Sequence, residues 1–300
     1  MGGRIHDAIE STIKGENDIT AIAEAIKNEL ADLEMLDLAF PKDRNGGDSI
    51  RDNWIANMTK FSQYFTIPKG KFETEQLVLF QPDGKHWMQG YIDAIRHNAD
   101  GSLWIIDWKS SSNFDKNHLL EAGRQLILYA MAKEQEGYIV KKVSWCMMKY
   151  CVISWTMKNG KVKEKVSEWR NMVKSAANQI ESYMTSAGYD DLDIEVYLSQ
   201  AIEKNSFDYL PKDIADKFTV KIYVRDYEIT PELRQECLDY IEESIKLYET
   251  LGDEENWRPC DCKKESFFCS NLCSFHNKCK YYQAYLEDFK REKDEDENLF

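Results

Sequence analysis

No stretch of about 18 or more apolar residues occurs in the 300-residue chain, so no membrane-crossing helix is expected. The opening "MGGRIHDAIESTI" has no long apolar core, and a secretory signal is not expected either. No internal repeat is found. Positive charge is in deficit: the net charge is −14. That argues at first against a nucleic-acid partner, although a sum conceals local patches. Cysteine is absent before Cys146. Of the eight present, Cys146, Cys151 and Cys237 are scattered and five crowd into residues 260–279. Without a secretion signal a disulfide framework is not expected. The crowded five read as thiolate ligands in a reducing cytoplasm.

Apolar residues make up 43% of the chain, enough for one large domain or two modest ones. Residues 4–40 read as helical, with "DITAIAEAIKNEL" opened by an Asp18 cap signal. "RNGGDS" breaks the chain, and "IRDNWIANMTKFSQYF" is helical again. "FETEQLVLF", "HWMQGYIDAIRH" and "LWIIDWKSS" read as strands joined by the short turns "QPDGK" and "NADGS". A helix, "KNHLLEAGRQLILYAMAKEQEG", ends at Gly137. Further strands follow with "KNGK" as a hairpin turn, then a helix over "SEWRNMVKSAANQIESYMTSAG". Residues 190–217 are mixed. "FTVKIYVRDYEI" is a strand, and a helix begins with Thr230 as N-cap and Pro231 at its first position. The cysteine segment, a short helix and the tail "REKDEDENLF" complete the chain.

Three charges interrupt the most strand-like segment, Gly90 to Ser111: Asp93, Asp107 and Lys109. Charges on buried strands are costly unless paired or bound to a metal. Period-two alternation puts Leu103, Ile105, Asp107 and Lys109 on one face. It likewise groups Trp87, Gln89, Tyr91, Asp93 and Ile95. A hairpin could set Asp93 beside Asp107. Two facing carboxylates repel, and one takes up a proton unless a cation sits between them. A hard divalent cation meets that need, and Lys109 at the rim could orient an attacking water or stabilise developing charge. That arrangement suits metal-assisted phosphodiester hydrolysis. The alternative is a salt-bridged strand pair, Lys109 with either Asp.

Taken in order, "GGRIHDAIE", "FETEQ", "GYIDAI", "IIDWKSS" and "GRQLILYA" resemble the motifs of the PD-(D/E)XK nuclease superfamily in its RecB-like branch. That branch includes recombination exonucleases, CRISPR-adaptation nucleases and phage nucleases. The resemblance implies an α/β, restriction-endonuclease-like core (αβββαβ) with a mixed sheet and helical elaborations. It implies that His6, Asp93 and Asp107, helped by the Trp108 main-chain carbonyl, ligate Mg2+ or Mn2+, and that Lys109 is the catalytic lysine. Gln125 and Tyr129, four apart on a helix, would face the active site and DNA. Glu75 would be an auxiliary acid, with Glu73 as the competing choice. His86, His97 and His118 match no motif and read as structural or surface residues.

"WRPCDCKKESFFCSNLCSFHNKCKYY" holds Cys260, Cys262, Cys269, Cys273, His276 and Cys279. The last three cysteines resemble the C-terminal three of the branch's iron–sulfur motif, whose fourth lies upstream of the histidine motif. With no cysteine there, either Cys260 or Cys262 supplies the ligand locally or the site holds zinc. Sequence leaves a [4Fe–4S] cluster and a structural Zn2+ both open. Its role would be structural, tying the C-terminus to the core.

Residues 141–174 carry nine Lys/Arg, Lys141, Lys149, Lys161 and Lys163 among them, against Glu164 and Glu168, with Trp145, Tyr150, Trp155 and Trp169 interleaved. Such a mixture suits a DNA backbone and stacked bases; a soluble hairpin with outward lysines is the alternative. The acidic tail ending in Phe300 could dock a replication or recombination partner, or simply solvate the chain.

The expected organisation is a nuclease core over 1–190, an elaboration over 191–257, a metal-binding segment over 258–286 and an acidic tail over 287–300. The expected activity is metal-dependent hydrolysis of DNA, by an exonuclease acting on ends or single strands. The alternatives are a catalytically vestigial DNA-binding subunit and a nuclease that trims DNA for a CRISPR integrase.

Overall fold

Gly15, at φ 76°, divides the helical N-terminus into α1 (Gly3–Lys14) and α2 (Thr20–Met35) in the computed structural model, which describes residues 3–36, 49–110, 118–157, 159–251 and 260–297. Asp18 accepts the Thr20 N–H at 2.8 Å at the start of α2. The expected break "RNGGDS" lies, apart from Ser49, outside the described residues. Ser49 caps α3 (Ile50–Tyr64) by accepting the Asp52 N–H at 3.0 Å, which satisfies a donor the helix itself cannot pair.

Three antiparallel strands follow: β1 (Lys71–Phe80), β2 (Met88–His97) and β3 (Leu103–Lys109). The Asp100–Gly101 turn tightens the second hairpin, with Gly101 at φ 81°. Helix α4 (Leu119–Gln135) then crosses over to β4 (Val140–Thr156), which runs parallel to β3. Gly137, at φ 94°, stops α4 as expected. β4 is long enough to pair with β3 through Met147 and with β5 (Val162–Glu168) from Tyr150 onward. β6 (Phe218–Tyr227) lies antiparallel to β4, and its register shifts between Met147 and Cys151. The sheet is therefore mixed, with the order β1-β2-β3-β4-β5 and β6 paired to β4. This is the α/β, restriction-endonuclease-like architecture that the motif order implies.

The remaining helices are α5 (Met172–Ala187), α6 (Asp191–Lys204), α7 (Lys212–Ala215), α8 (Pro231–Thr250) and α9 (Lys280–Glu297). Ser167 and Glu168, expected in the α5 helix, end β5 instead. Thr230 caps α8, its hydroxyl accepting the Leu233 N–H at 3.2 Å. α9 is longer than the short helix expected and takes in the tail as far as Glu297, whereas Phe300 lies outside the described residues. The chain divides into two compact units, 1–238 and 239–300.

In the first unit, Ile5, Ile9, Ile22, Met58 and Phe61 of α1–α3 share a core with Ala94, Ile106 and Trp108. With Ile106 and Trp108 turned into that core, Asp107 and Lys109 turn the other way, toward α4. No helix among the described residues is long and apolar enough to cross a membrane.

Candidate active site

The β2–β3 ladder pairs Ile95 with Ile105 and Ala94 with Ile106. One step further along stand Asp93 and Asp107. The hairpin thus brings the two carboxylates to the same level, as alternation predicts. Asp93 Oδ2 accepts the main-chain N–H of Trp108 at 2.6 Å, which fixes it to the neighbouring strand. Asp107 is almost fully buried. Its Oδ2 lies 2.8 Å from Lys109 Nζ, an ion pair by distance but poorly aligned as a hydrogen bond.

Burial dominates the electrostatics. It pushes the carboxyls of both Asp93 and Asp107 up to about 6. The Trp108 N–H and Lys109 pull Asp93 back, and Lys109 pulls Asp107 back, without overcoming the loss of water. His6 Nδ1 is 3.8 Å from Asp93 Oδ2. Burial lowers the His6 pKa in spite of the field of Asp107, leaving the imidazole neutral and able to donate a lone pair.

Lys109 Nζ also donates to Gln125 Oε1 at 3.2 Å, and Gln125 Nε2 donates to Tyr129 OH at 2.8 Å. The i, i+4 pair on α4 therefore forms a relay that ends on the lysine. Two glycines let this helix lie where it does. A Cβ on Gly90 would meet the Tyr129 ring at 2.8 Å, and one on Gly123 would meet the Tyr227 ring at 2.1 Å.

The two candidate acids of β1 part company. Glu73 pairs with His97 Nε2 at 2.9 Å. Glu75 lies across from Asp93, drops out of the ladder between Thr74 and Gln76, and adopts φ 49°. A non-glycine residue in this left-handed region is strained. Its charge raises the Asp93 carboxyl, while burial and then Glu10 and Asp7 raise its own. The strict alternation expected for β2 does not persist here: Ile92, Ala94 and Ile95 are all buried. The left-handed Glu75 is a feature that no residue pattern announces.

The four lysines predicted to bind DNA do not form one cluster. Lys141 pairs with Asp100 at the β4 end level with the start of β3. Lys161 just precedes β5 and Lys163 lies in it opposite Trp155, near the other end of β4. Lys149 comes two residues after Met147, the β4 partner of Lys109. It is half-buried, and burial lowers its pKa against the field of Glu168. The aromatic half of the expected base-stacking surface needs correction. Trp145, Trp155 and Trp169 are buried in the core, so their faces are not open to bases.

Two carboxylates, one with a buried and poorly aligned oxygen, and a neutral imidazole form a donor set that fits a hard divalent cation. Among the described residues no three His, Cys, Asp or Glu side chains converge closely enough to hold a metal unaided.

A comparison with curated proteins found no match. A family model described as the PD-(D/E)XK nuclease superfamily matches residues 1–280. Because that match takes in the whole sheet and everything gathered around Asp93 and Asp107, the chain belongs to the PD-(D/E)XK nuclease superfamily.

Proposed function

We propose that the chain is a metal-dependent deoxyribonuclease of the RecB-like branch, an exonuclease acting on DNA ends or single strands in recombination, repair or phage DNA metabolism. The observation that carries this reading is the juxtaposition of Asp93 and Asp107 beside a lysine held by both Asp107 and Gln125.

His6, Asp93 and Asp107, with the Trp108 carbonyl, are the groups to hold Mg2+ or Mn2+. Such an ion supplies Lewis-acid polarisation of the phosphate and a lowered pKa for bound water. The protein's own part is positioning. The Trp108 N–H fixes Asp93. Gln125 and Tyr129 hold Lys109 at the rim, where its ammonium orients the attacking water and stabilises charge developing on the phosphate. Glu75, across from Asp93, serves as the auxiliary acid. Lys149 is the phosphate contact nearest the site, and Lys141, Lys161 and Lys163 serve outlying phosphates. A vestigial DNA-binding subunit would have no need of the complete acid, acid, lysine set.

End-labelled and covalently closed circular DNA, incubated with and without Mg2+, test the reading. An exonuclease releases label from linear DNA, only with the ion, and spares the circle. Nicking of the circle as fast as loss of the end label would show an endonuclease instead. No Mg2+- or Mn2+-dependent cleavage of any DNA would reject the activity.

A further inference from the structure

The second unit lines one small cavity with its soft donors, although among the described residues no three of them converge closely enough to hold an ion unaided. Asp261 Oδ1 accepts the N–H groups of Lys263 and Lys264 at 3.1 and 3.3 Å, a turn that carries Cys260 and Cys262. A short π-helix, Phe268–Leu272, carries Cys269, and the Cys273 N–H closes it by donating to Phe268 O at 2.9 Å. As a result Cys260, Cys262, Cys269, Cys273, His276 and Cys279 all line a single cavity of about 70 Å3. Cys262 and Cys269 are buried, with their sulfurs 3.4 Å apart. The Cys260 thiol is also within hydrogen-bond reach of Cys269.

This spacing discriminates between the two metal centres that the sequence leaves open. Four thiolates around one tetrahedral zinc, each about 2.3 Å from it, stand about 3.8 Å from one another. In a [4Fe–4S] cluster each thiolate binds a different iron, so the sulfurs are held apart by the width of the cluster. The observed pair is close to the first spacing and too near for the second. The donors are also complete within residues 260–279, with no ligand needed from the stretch before Cys146, where the chain has no cysteine.

We propose that Cys260, Cys262 and Cys269, with a fourth thiolate from Cys273 or Cys279, bind one structural Zn2+ rather than an iron–sulfur cluster. The ion draws the remaining donors together as it binds, so metal binding and folding of this segment are linked.

The test uses the full chain, expressed with both iron and zinc supplied and purified without oxygen. Zinc, iron and acid-labile sulfide are measured per chain, and the visible spectrum is recorded. The expected result is about one zinc per chain with iron and sulfide at background and a colourless protein. Stoichiometric iron and sulfide with broad visible absorption would overturn the proposal. So would a chain that purifies without metal, or a Cys262–Cys269 disulfide found by mass spectrometry. Cys262→Ser and Cys269→Ser should lose the zinc, and Cys237→Ser, outside the cluster, should keep it. Should the first two fail to fold, Co2+ exchange into the wild-type chain still decides. Intense tetrahedral thiolate bands support the site, and weak octahedral bands contradict it. Asp107→Ala should retain zinc whatever its effect on DNA cleavage, so this proposal and the nuclease reading fail separately.

Discussion

A Cβ on Gly90 would stand 2.8 Å from Cε1 of Tyr129, so β2 can lie against α4 only with a bare backbone at that point. The glycine three residues before Asp93 thereby sets the depth of the helix that holds Lys109. Gly90→Ala should push Tyr129 away, loosen the Gln125–Lys109 link, and cost about 1–3 kcal/mol of stability. Tyr129→Phe keeps the ring and removes only the hydroxyl that accepts from Gln125, so its stability loss should be nearer 1 kcal/mol. Melting curves and single-turnover cleavage should show a slower rate in both and a larger melting shift in the alanine variant. A Gly90→Ala protein with wild-type melting and rate would contradict the packing argument.

The raised carboxyls give a pH dependence of definite sign. Asp93 and Asp107 sit at about 6 in the folded chain, against about 3.9 when unfolded. Between these values the metal-free folded state holds more protons than the unfolded state, so this contribution to stability declines as pH rises from about 4 to about 6. For the two together the loss is on the order of 2–5 kcal/mol. Added Mg2+ should restore part of it at pH 7. Denaturant melts in chelator across that window, wild type minus Asp107→Asn, isolate the effect. A difference that grows more favourable to wild type with rising pH would contradict it.

Glu75 and Glu73 can be separated by a backbone argument. Glu75 occupies a left-handed conformation that glycine adopts without strain. Glu75→Gly should therefore be neutral or stabilising by up to about 1 kcal/mol while cleavage slows, and Glu75→Gln should slow cleavage alone. Glu73→Gln should leave the rate near wild type, because that carboxylate is engaged with His97. Cleavage assays on the three variants check this; a rate loss confined to Glu73→Gln would reverse the assignment.

Much of this was legible in the sequence, for local reasons. Gly137 ends α4 and Thr230–Pro231 begins α8 because capping chemistry acts within one turn. The hairpins were readable from their turn residues. Residues 190–217 were not, since α6 buries only Ile194 and Ala201 and so shows no strong period, while the 3-10 turn and α7 are a few residues each, fixed by packing. The motif order led to Asp93, Asp107 and Lys109, whereas the left-handed Glu75 and the Gly90–Tyr129 approach arise only when strands and helix meet. The basic and aromatic interleaving in 141–174 was misread for a simple reason. β4 is buried without a break from Val143 to Met148, so Trp145 is covered whichever face it takes, and Trp155 is buried near the strand's end; the lysines around them do not mark an open surface.

The positions of the lysines predict unequal effects on DNA binding. Lys149 lies two residues beyond Met147, the partner of Lys109, while Lys141 is engaged with Asp100 at the far end of the strand. Lys149→Ala should reduce the salt slope of binding by about one, the loss of a single phosphate contact. Lys141→Ala should change it less. Filter-binding affinities at several salt concentrations provide the check; equal slopes for Lys149→Ala and wild type would place the DNA elsewhere.

The central claim is that Asp93 and Asp107 bind the ion while Lys109 serves the reaction. It is tested most directly by calorimetric Mg2+ or Mn2+ titration and DNA cleavage on the same preparations of Asp107→Ala and Lys109→Ala, with melting curves as a control. The account predicts that Asp107→Ala loses both ion binding and cleavage. Lys109→Ala should bind the ion and remain folded, yet cleave at least about a hundredfold more slowly. A folded Lys109→Ala protein that cuts DNA at near wild-type rate, or an Asp107→Ala protein that still binds the ion, would contradict it.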